Sequence, residues 1–310
     1  MLSLNFNPKK TTRLFGLENE FNFLKKMISS DKFPKTLMLT GNRGVGKSTM
    51  ISHLMHYYFD KKTYNENENT FVNESFFLNQ FIENLFPNIL YLNGSDYRNV
   101  RIDDIRKIIN DLNKSPIKKD KRFIILDDID SFNINSLNAL LKIIEEPLSN
   151  NYFILINSKT KPLIETIYSR SLEIKILLSN EIRVKIIESL IKKNNLEVLI
   201  DFNSCSITPG NFLSFNKIFE ENKINLNEDY HKNLEKLLNL YKKTKNKNFI
   251  NTILFITENY FYNLHEKKIY NIEKIIENKS FVINNINNFI TYNLNQNSVI
   301  NAINNKLLNE

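Results

Sequence analysis

Cysteine, glycine, proline and arginine are all scarce in this 310-residue chain, and each scarcity excludes something. One cysteine, Cys205, leaves no internal disulfide and no multi-cysteine zinc site, which fits a reducing compartment. No uncharged apolar run is long enough to cross a bilayer. The start, Met1-Leu2-Ser3-Leu4-Asn5-Phe6, lacks the charged flank and long apolar core of a signal peptide. These absences predict a soluble, cytoplasmic protein with no membrane partner. Acidic residues fall short of basic ones, 34 against 42, giving a net charge of +8. That excess suits a polyanionic partner, but a composition leaning on Lys, Asn and Ile is equally what a biased genome produces. The length allows two or three domains, each with its own core.

Of the six glycines, Gly41, Gly44 and Gly46 fall within one loop, Thr40-Gly41-Asn42-Arg43-Gly44-Val45-Gly46-Lys47-Ser48-Thr49. It matches the phosphate-loop pattern G-x-x-x-x-G-K-[ST]. The apolar run Thr36–Leu39 before it reads as a buried strand and Ser48–Tyr58 after it as a helix. That context aims backbone N–H groups and a helix dipole at one point, where a polyphosphate can sit. ATP would be held by residues 41 to 49, Lys47 reaching the β- and γ-phosphates and Ser48 placing its hydroxyl on Mg²⁺. An ordinary glycine turn before a helix is the plainer alternative.

Arg122-Phe123-Ile124-Ile125-Leu126-Asp127-Asp128 reads as a buried parallel strand that carries two carboxylates to its C-terminal edge, where open α/β sheets bind ligands. Asp127 is placed to hold Mg²⁺. Asp128 stands where a hydrolysing ATPase commonly carries a longer Glu to polarise water, so slow hydrolysis or none is expected. A helix over 134–146 stops at Pro147. Tyr152–Ile156 is another buried strand, ending in Asn157, a neutral side chain able to orient a water or touch a γ-phosphate.

Elsewhere, Glu18–Ile28 reads as a helix behind a tight turn at Gly16, beside which a nucleotide base could lie. Residues 61–70 read as a loop, and 71–86 as an amphipathic helix with Phe77, Phe81 and Leu85 on its core stripe. Asn88–Leu92 reads as a strand. Asp103 is a candidate N-cap for the helix after it. His53 and His56 share a helix face but lack a third ligand nearby, so they read as ordinary helix residues. Strand and helix alternate to residue 176, which predicts a doubly wound parallel sheet. Residues 226–310 contain neither proline nor glycine, and their apolar periodicity at Leu234, Leu237, Leu238 and Tyr241, then Ile250, Ile253, Leu254 and Phe261, predicts an all-helical region.

In order, Leu14-Phe15-Gly16, the phosphate loop, Asp127-Asp128, Asn138-Ala139-Leu140-Leu141-Lys142-Ile143-Ile144-Glu145-Glu146-Pro147, Asn157 and Ser169-Arg170-Ser171 resemble the AAA+ clamp loaders, and among them the delta-prime type of bacterial DNA polymerase III. The strong likeness covers residues 12–176. It implies an AAA+ nucleotide-binding domain over 1–176, a helical lid over 177–225 and a helical collar over 226–310. It also implies a hetero-oligomeric ring with gamma/tau motor and delta-type subunits that places a sliding clamp on primed DNA. In that family the arginine of the triplet enters a neighbour's ATP site, which makes Arg170 an arginine finger in trans and Asn157 a sensor. A planar, permanently charged fork in so lysine-rich a chain points the same way. A salt bridge to Glu173 is the structural alternative for Arg170.

This sequence departs from the family at several points. Ser171 replaces the cysteine of the triplet, the region of residues 60–87, where many relatives carry a four-cysteine zinc module, has no cysteine, and Asn211 stands where motor subunits use a lid arginine. With Asp128 in place of Glu, the chain reads as a stator and finger donor that binds ATP. An autonomous AAA+ motor, gamma-type or a branch-migration helicase, is the alternative, and a degenerate nucleotide-binding scaffold a third. Arg98, Arg101 and Lys107, near one helix start, are candidates for DNA phosphates, or for a solvated surface.

Overall fold

The computed structural model describes residues 7–96, 100–112, 121–148, 150–226 and 228–308. It divides into two compact units, Met1–Leu190 with Thr208–Asn211, and Ile191–Ile207 with Phe212–Glu310.

In the first unit the helix α1 (Glu18–Ser29) leads to β1 (Thr36–Thr40), then α2 (Lys47–Phe59) and a two-stranded ribbon, β2 (Tyr64–Asn65) and β3 (Thr70–Phe71). There follow α3 (Phe76–Ile82), β4 (Ile89–Asn93), α4 (Ile102–Leu112), β5 (Arg122–Asp127), α5 (Ile134–Glu145), β6 (Asn151–Asn157), the short α6 (Glu165–Ser169) and β7 (Leu172–Lys175). The main sheet has the order β4-β5-β6-β1-β7, and every pairing in it is parallel. Alternation along the strands sorts the core onto two faces. Leu37, Leu39, Phe123, Ile125, Ile154 and Ile156 pack with α1, α2 and α3. Met38, Ile124, Leu126, Phe153 and Leu155 pack with Ile105, Leu140 and Ile167 from the helices of the other face. This is the doubly wound parallel sheet that the strand–helix alternation predicts.

Two local expectations are corrected. The helix expected over 71–86 is confined to α3, because Ser75 accepts the Leu78 N–H as its N-cap and Asn84 takes left-handed backbone just beyond its end. Phe71 joins the ribbon instead, Phe77 and Phe81 are buried, and Leu85 is 68% exposed. Residues 61–70 are accordingly not all loop. Asp103 does not cap α4: it lies within the first turn and pairs with Arg106 at 3.0 Å, while Asp104 accepts the Arg101 N–H at 2.9 Å.

α7 (Asn180–Asn194) and α8 (Pro209–Asn222) each run from one unit into the other, Pro209 opening α8 as its first residue. In the second unit α9 (Tyr230–Thr244), α10 (Lys247–Glu266), α11 (Ile272–Tyr292) and α12 (Gln296–Leu308) pack around Leu237, Ile253, Val282, Ile286 and Ile303, all fully buried. α9 and α11 both touch α10 and α12, which closes a four-helix arrangement. The all-helical region is as the sequence predicts. Among the described residues no helix is long and apolar enough to cross a membrane.

Candidate nucleotide site

β1 feeds the loop Gly41–Thr49 at the C-terminal edge of the sheet. Gly44 and Gly46 take left-handed backbone there, at φ +84° and +100°, which residues with a Cβ rarely adopt. Gly46 immediately precedes α2, whose first N–H groups have no partner within the helix and suit an anion. Lys47 opens α2 and is buried, and its Nζ donates to the carbonyls of Gly41 at 2.7 Å and Asn42 at 2.9 Å. Burial pushes its pKa down to about 8, against the pull of Asp127, Asp128 and Asp130. Two of the three N–H donors of this ammonium go to neutral carbonyls, so a donor and the full charge remain for an anion.

Asp127 ends β5 and is buried. Its carboxylate accepts the Tyr91 hydroxyl at 2.7 Å, the Asp128 N–H at 2.9 Å and the Ser48 hydroxyl. Burial raises its pKa, as does the neighbouring Asp128, while the Ser48 and Tyr91 hydrogen bonds and Lys47 oppose them. A carboxylate and a serine hydroxyl drawn together in a site that penalises unbalanced negative charge form a donor set that fits Mg²⁺. The metal, when bound, would draw charge from the phosphates beside it.

Asp128 has a different setting. It takes left-handed backbone and forms an ion pair with Arg43 of the phosphate loop at 3.2 Å. It also accepts hydrogen bonds from the hydroxyls of Ser95 and Ser158, the latter at 2.8 Å. Asn157 ends β6 next to Thr40 in register, and its carbonyl accepts the Gly41 N–H at 3.3 Å. Its fully buried side chain accepts the Lys159 N–H at 2.8 Å and donates to the Tyr168 hydroxyl at 2.9 Å.

The sheet therefore gathers the phosphate loop, Asp127, Asp128 and Asn157 at one edge. Arg170 is not among them. It caps the C-terminal end of α6, partly exposed, paired with Glu145 at 2.8 Å and donating to the Thr166 carbonyl at 3.2 Å. Glu173, the partner weighed for it on sequence, instead accepts the Thr40 hydroxyl at 2.6 Å. His53 and His56 are buried in aromatic core, His53 bonded to the Tyr64 hydroxyl and the Thr11 carbonyl. No cluster able to hold a metal through three or more His, Cys, Asp or Glu occurs among the described residues. Of the basic residues considered for DNA, Arg101 and Lys107 are exposed, and Arg98 lies outside the described residues.

Sequence reasoning missed Tyr91, Ser95, Ser158, Tyr168 and Thr208. The signal for Tyr91 is register: it pairs with Ile125, two residues before Asp127 on the same strand face. Thr208 and Gly210 reach the loop from far along the chain, the Thr208 hydroxyl donating to the Arg43 carbonyl at 2.7 Å and the Gly210 N–H to the Gly44 carbonyl at 2.8 Å. Phe15 and Gly16 line a cleft of about 330 Å³ together with Leu177, Ile182 and Ile186.

Residues 16–179 of this chain, more than half its length, match the family described as "DNA polymerase III, delta subunit". The chain belongs to that family. The family is the delta/delta-prime branch of the AAA+ clamp loaders, related to gamma/tau and replication factor C subunits. Individual relatives are distant. The gamma subunit of DNA polymerase III from Buchnera aphidicola subsp. Acyrthosiphon pisum is 22% identical over 64% of this chain and 54% of its own length. Replication factor C subunit 5 of Mus musculus is 26% identical over 66% of this chain and 54% of its own. The delta-prime subunit from Pseudomonas aeruginosa is 28% identical over 24% of this chain and 23% of its own. The chain thus spans about half the length of the first two relatives. A crystal structure of a gamma-subunit-related protein from Thermotoga maritima aligns with 92% of this chain and 97% of its own, at 18% identity and a TM-score of 0.45. The sequence relatives include both gamma and delta-prime subunits, and the type is not resolved between them.

Proposed function

We propose that this chain is a delta-prime-type subunit that binds ATP with Mg²⁺, serves as a stator, and offers Arg170 to a neighbouring motor subunit during ATP-dependent loading of a sliding clamp on primed DNA. The observation that carries this reading is the separation of charges. Arg170 stands apart from the chain's own phosphate loop, held by Glu145, while Asp128 is neutralised by Arg43. The chain's own site is then suited to hold a nucleotide, with Lys47 on the phosphates, Ser48 and Asp127 on the metal, and the base in the cleft beside Phe15 and Gly16. Its own hydrolysis is slow, because Asp128, the acid that would activate a water, is short and already paired with Arg43. The lid over 177–225 and the collar over 226–310 complete the subunit, and its partners are gamma/tau and delta-type subunits in a ring.

The test is ATP turnover by cognate motor subunits reconstituted on primed DNA with wild-type chain or Arg170→Ala. A large loss with assembly unchanged supports the trans role, and full turnover refutes it. Lys47→Ala should abolish nucleotide binding that Arg170→Ala leaves intact. The likeness to gamma subunits favours a second reading, an autonomous motor. Brisk hydrolysis by the purified chain alone would select it.

A further inference from the structure

The fully buried side chain of Asn157 and the partly exposed Arg170 belong to different ends of the expected chemistry, one read as the sensor of this chain's own nucleotide and the other as offered to a neighbour's. One residue touches both. The Tyr168 hydroxyl accepts a hydrogen bond from Asn157 Nδ2 at 2.9 Å, and the Tyr168 carbonyl accepts the backbone N–H groups of Arg170 and Ser171. The amide of Asn157 is oriented at both ends, by the Lys159 N–H on its oxygen and by Tyr168 on its nitrogen. An amide nitrogen carries two hydrogens, and the second is the one that a terminal phosphate or its attacking water would draw on when it uncovers this buried side chain. The Asn157 main chain is in turn bonded to Gly41 of the phosphate loop.

α6 is a helix of five residues, and Ile167 is the residue it buries fully. A helix this short makes few internal hydrogen bonds, so its setting depends on its side-chain anchors. One anchor is Tyr168 on Asn157 and the other is Arg170 on Glu145. The helix that presents the guanidinium is thereby tied directly to the side chain that the sequence offers as the sensor of a terminal phosphate.

We propose that Tyr168 is a positioning residue that couples this chain's own nucleotide site to Arg170, so that the triphosphate held here sets the arginine offered to the neighbour. This rests on the reading of Arg170 as acting in trans. A phosphate that draws on Asn157 competes for, or reorients, the amide that Tyr168 holds, and α6 follows because its main chain carries both groups.

The experiment uses the full chain assembled with cognate motor subunits and primed DNA, comparing wild type, Arg170→Ala, Tyr168→Phe, Lys47→Ala and the Lys47→Ala/Tyr168→Phe double variant. Tyr168→Phe keeps the ring and removes only the hydroxyl. It should lower neighbour turnover about fivefold, the scale of one lost hydrogen bond, and reduce the chain's own preference for ATP over ADP in direct binding. The signature of coupling is non-additivity: Lys47→Ala should lower turnover on its own, and adding Tyr168→Phe should lower it no further. If the two losses multiply, or if Tyr168→Phe turns over like wild type while Arg170→Ala does not, the coupling is wrong and the trans role stands. Should Arg170→Ala itself keep full turnover, both readings fall together. Assembly measured by gel filtration guards against a folding defect; a variant that fails to assemble is replaced by Asn157→Ala, which must show the same non-additivity or the proposal is overturned.

Discussion

Arg43 of the phosphate loop and Asp128 at the end of β5 form an ion pair at 3.2 Å, and Ser95 bridges them, accepting from Arg43 at 2.7 Å and donating to Asp128. Asp128, proposed as the weak water-activating acid, is therefore engaged from the loop that would hold the phosphates. Arg43→Ala should release it. The expected outcome is faster phosphate release by the isolated chain, with a stability loss of at most about 1 kcal/mol because the pair is partly solvated. A variant that hydrolyses ATP no faster than wild type would show that the shorter reach of aspartate, and not its pairing, limits the site.

Lys47 gives a pH dependence whose sign is fixed. Its pKa of about 8 in the folded chain means that it is charged below that value and loses its proton above it. ATP affinity should hold steady from pH 6.5 to 7.5 and then fall, approaching tenfold per pH unit above about 8. Stability of the free chain moves the other way. The unfolded lysine keeps its proton to about 10.5, so between 8 and 10.5 unfolding binds protons and stability rises with pH. Calorimetric titration of ATP from pH 6.5 to 9.5 checks the first, and urea unfolding without nucleotide checks the second.

Gly210 meets Gly44 so closely that a Cβ at 210 would lie 2.8 Å from the Gly44 Cα. Backbone cannot yield to that contact cheaply, so Gly210→Ala should break the Gly210–Gly44 hydrogen bond and strain that of Thr208 with Arg43. A loss of roughly 1–3 kcal/mol in stability is expected from overpacking, with weaker nucleotide binding. Thr208→Val, which keeps the shape and removes the hydroxyl, should give a smaller loss. Thermal unfolding and nucleotide titration of the two variants compare them directly.

His56 is buried, stacked on Phe71 and edge-on to Phe77 and Phe81, with no hydrogen-bond partner for either ring nitrogen. Burial lowers its pKa to about 4, against a small opposing pull from Asp60. The unfolded chain takes up this proton near pH 6.5 and the folded chain only near 4, so stability falls as pH drops through that window. The loss reaches up to about 3 kcal/mol. His56→Phe should flatten the urea-unfolding profile between pH 4 and 6.5 relative to wild type. An unchanged slope would mean that other groups carry the acid sensitivity.

The sequence by itself determined the local and periodic features. Glycines at 44 and 46 suit the left-handed backbone there, the apolar runs before Gly41 and Asp127 mark buried strands, and the region after 226, free of proline and glycine, repeats its apolar residues at helical spacing. Each depends on residues close together along the chain, so spacing suffices. Family membership was legible for the same reason, because its motifs are short and ordered. Local pattern was insufficient where two segments compete: the stripe over 71–86 looks helical throughout, yet pairing with Tyr64 draws Phe71 into a ribbon.

Tertiary structure alone decided which side chains meet. Strand register puts Tyr91 on Asp127, and the close of β5 against the phosphate loop puts Arg43 on Asp128. The packing of α6 beside α5 gives Arg170 to Glu145, whereas sequence proximity suggests Glu173. Such contacts join residues tens of positions apart, where the distance between side chains is set by the fold and no periodicity along the chain records it.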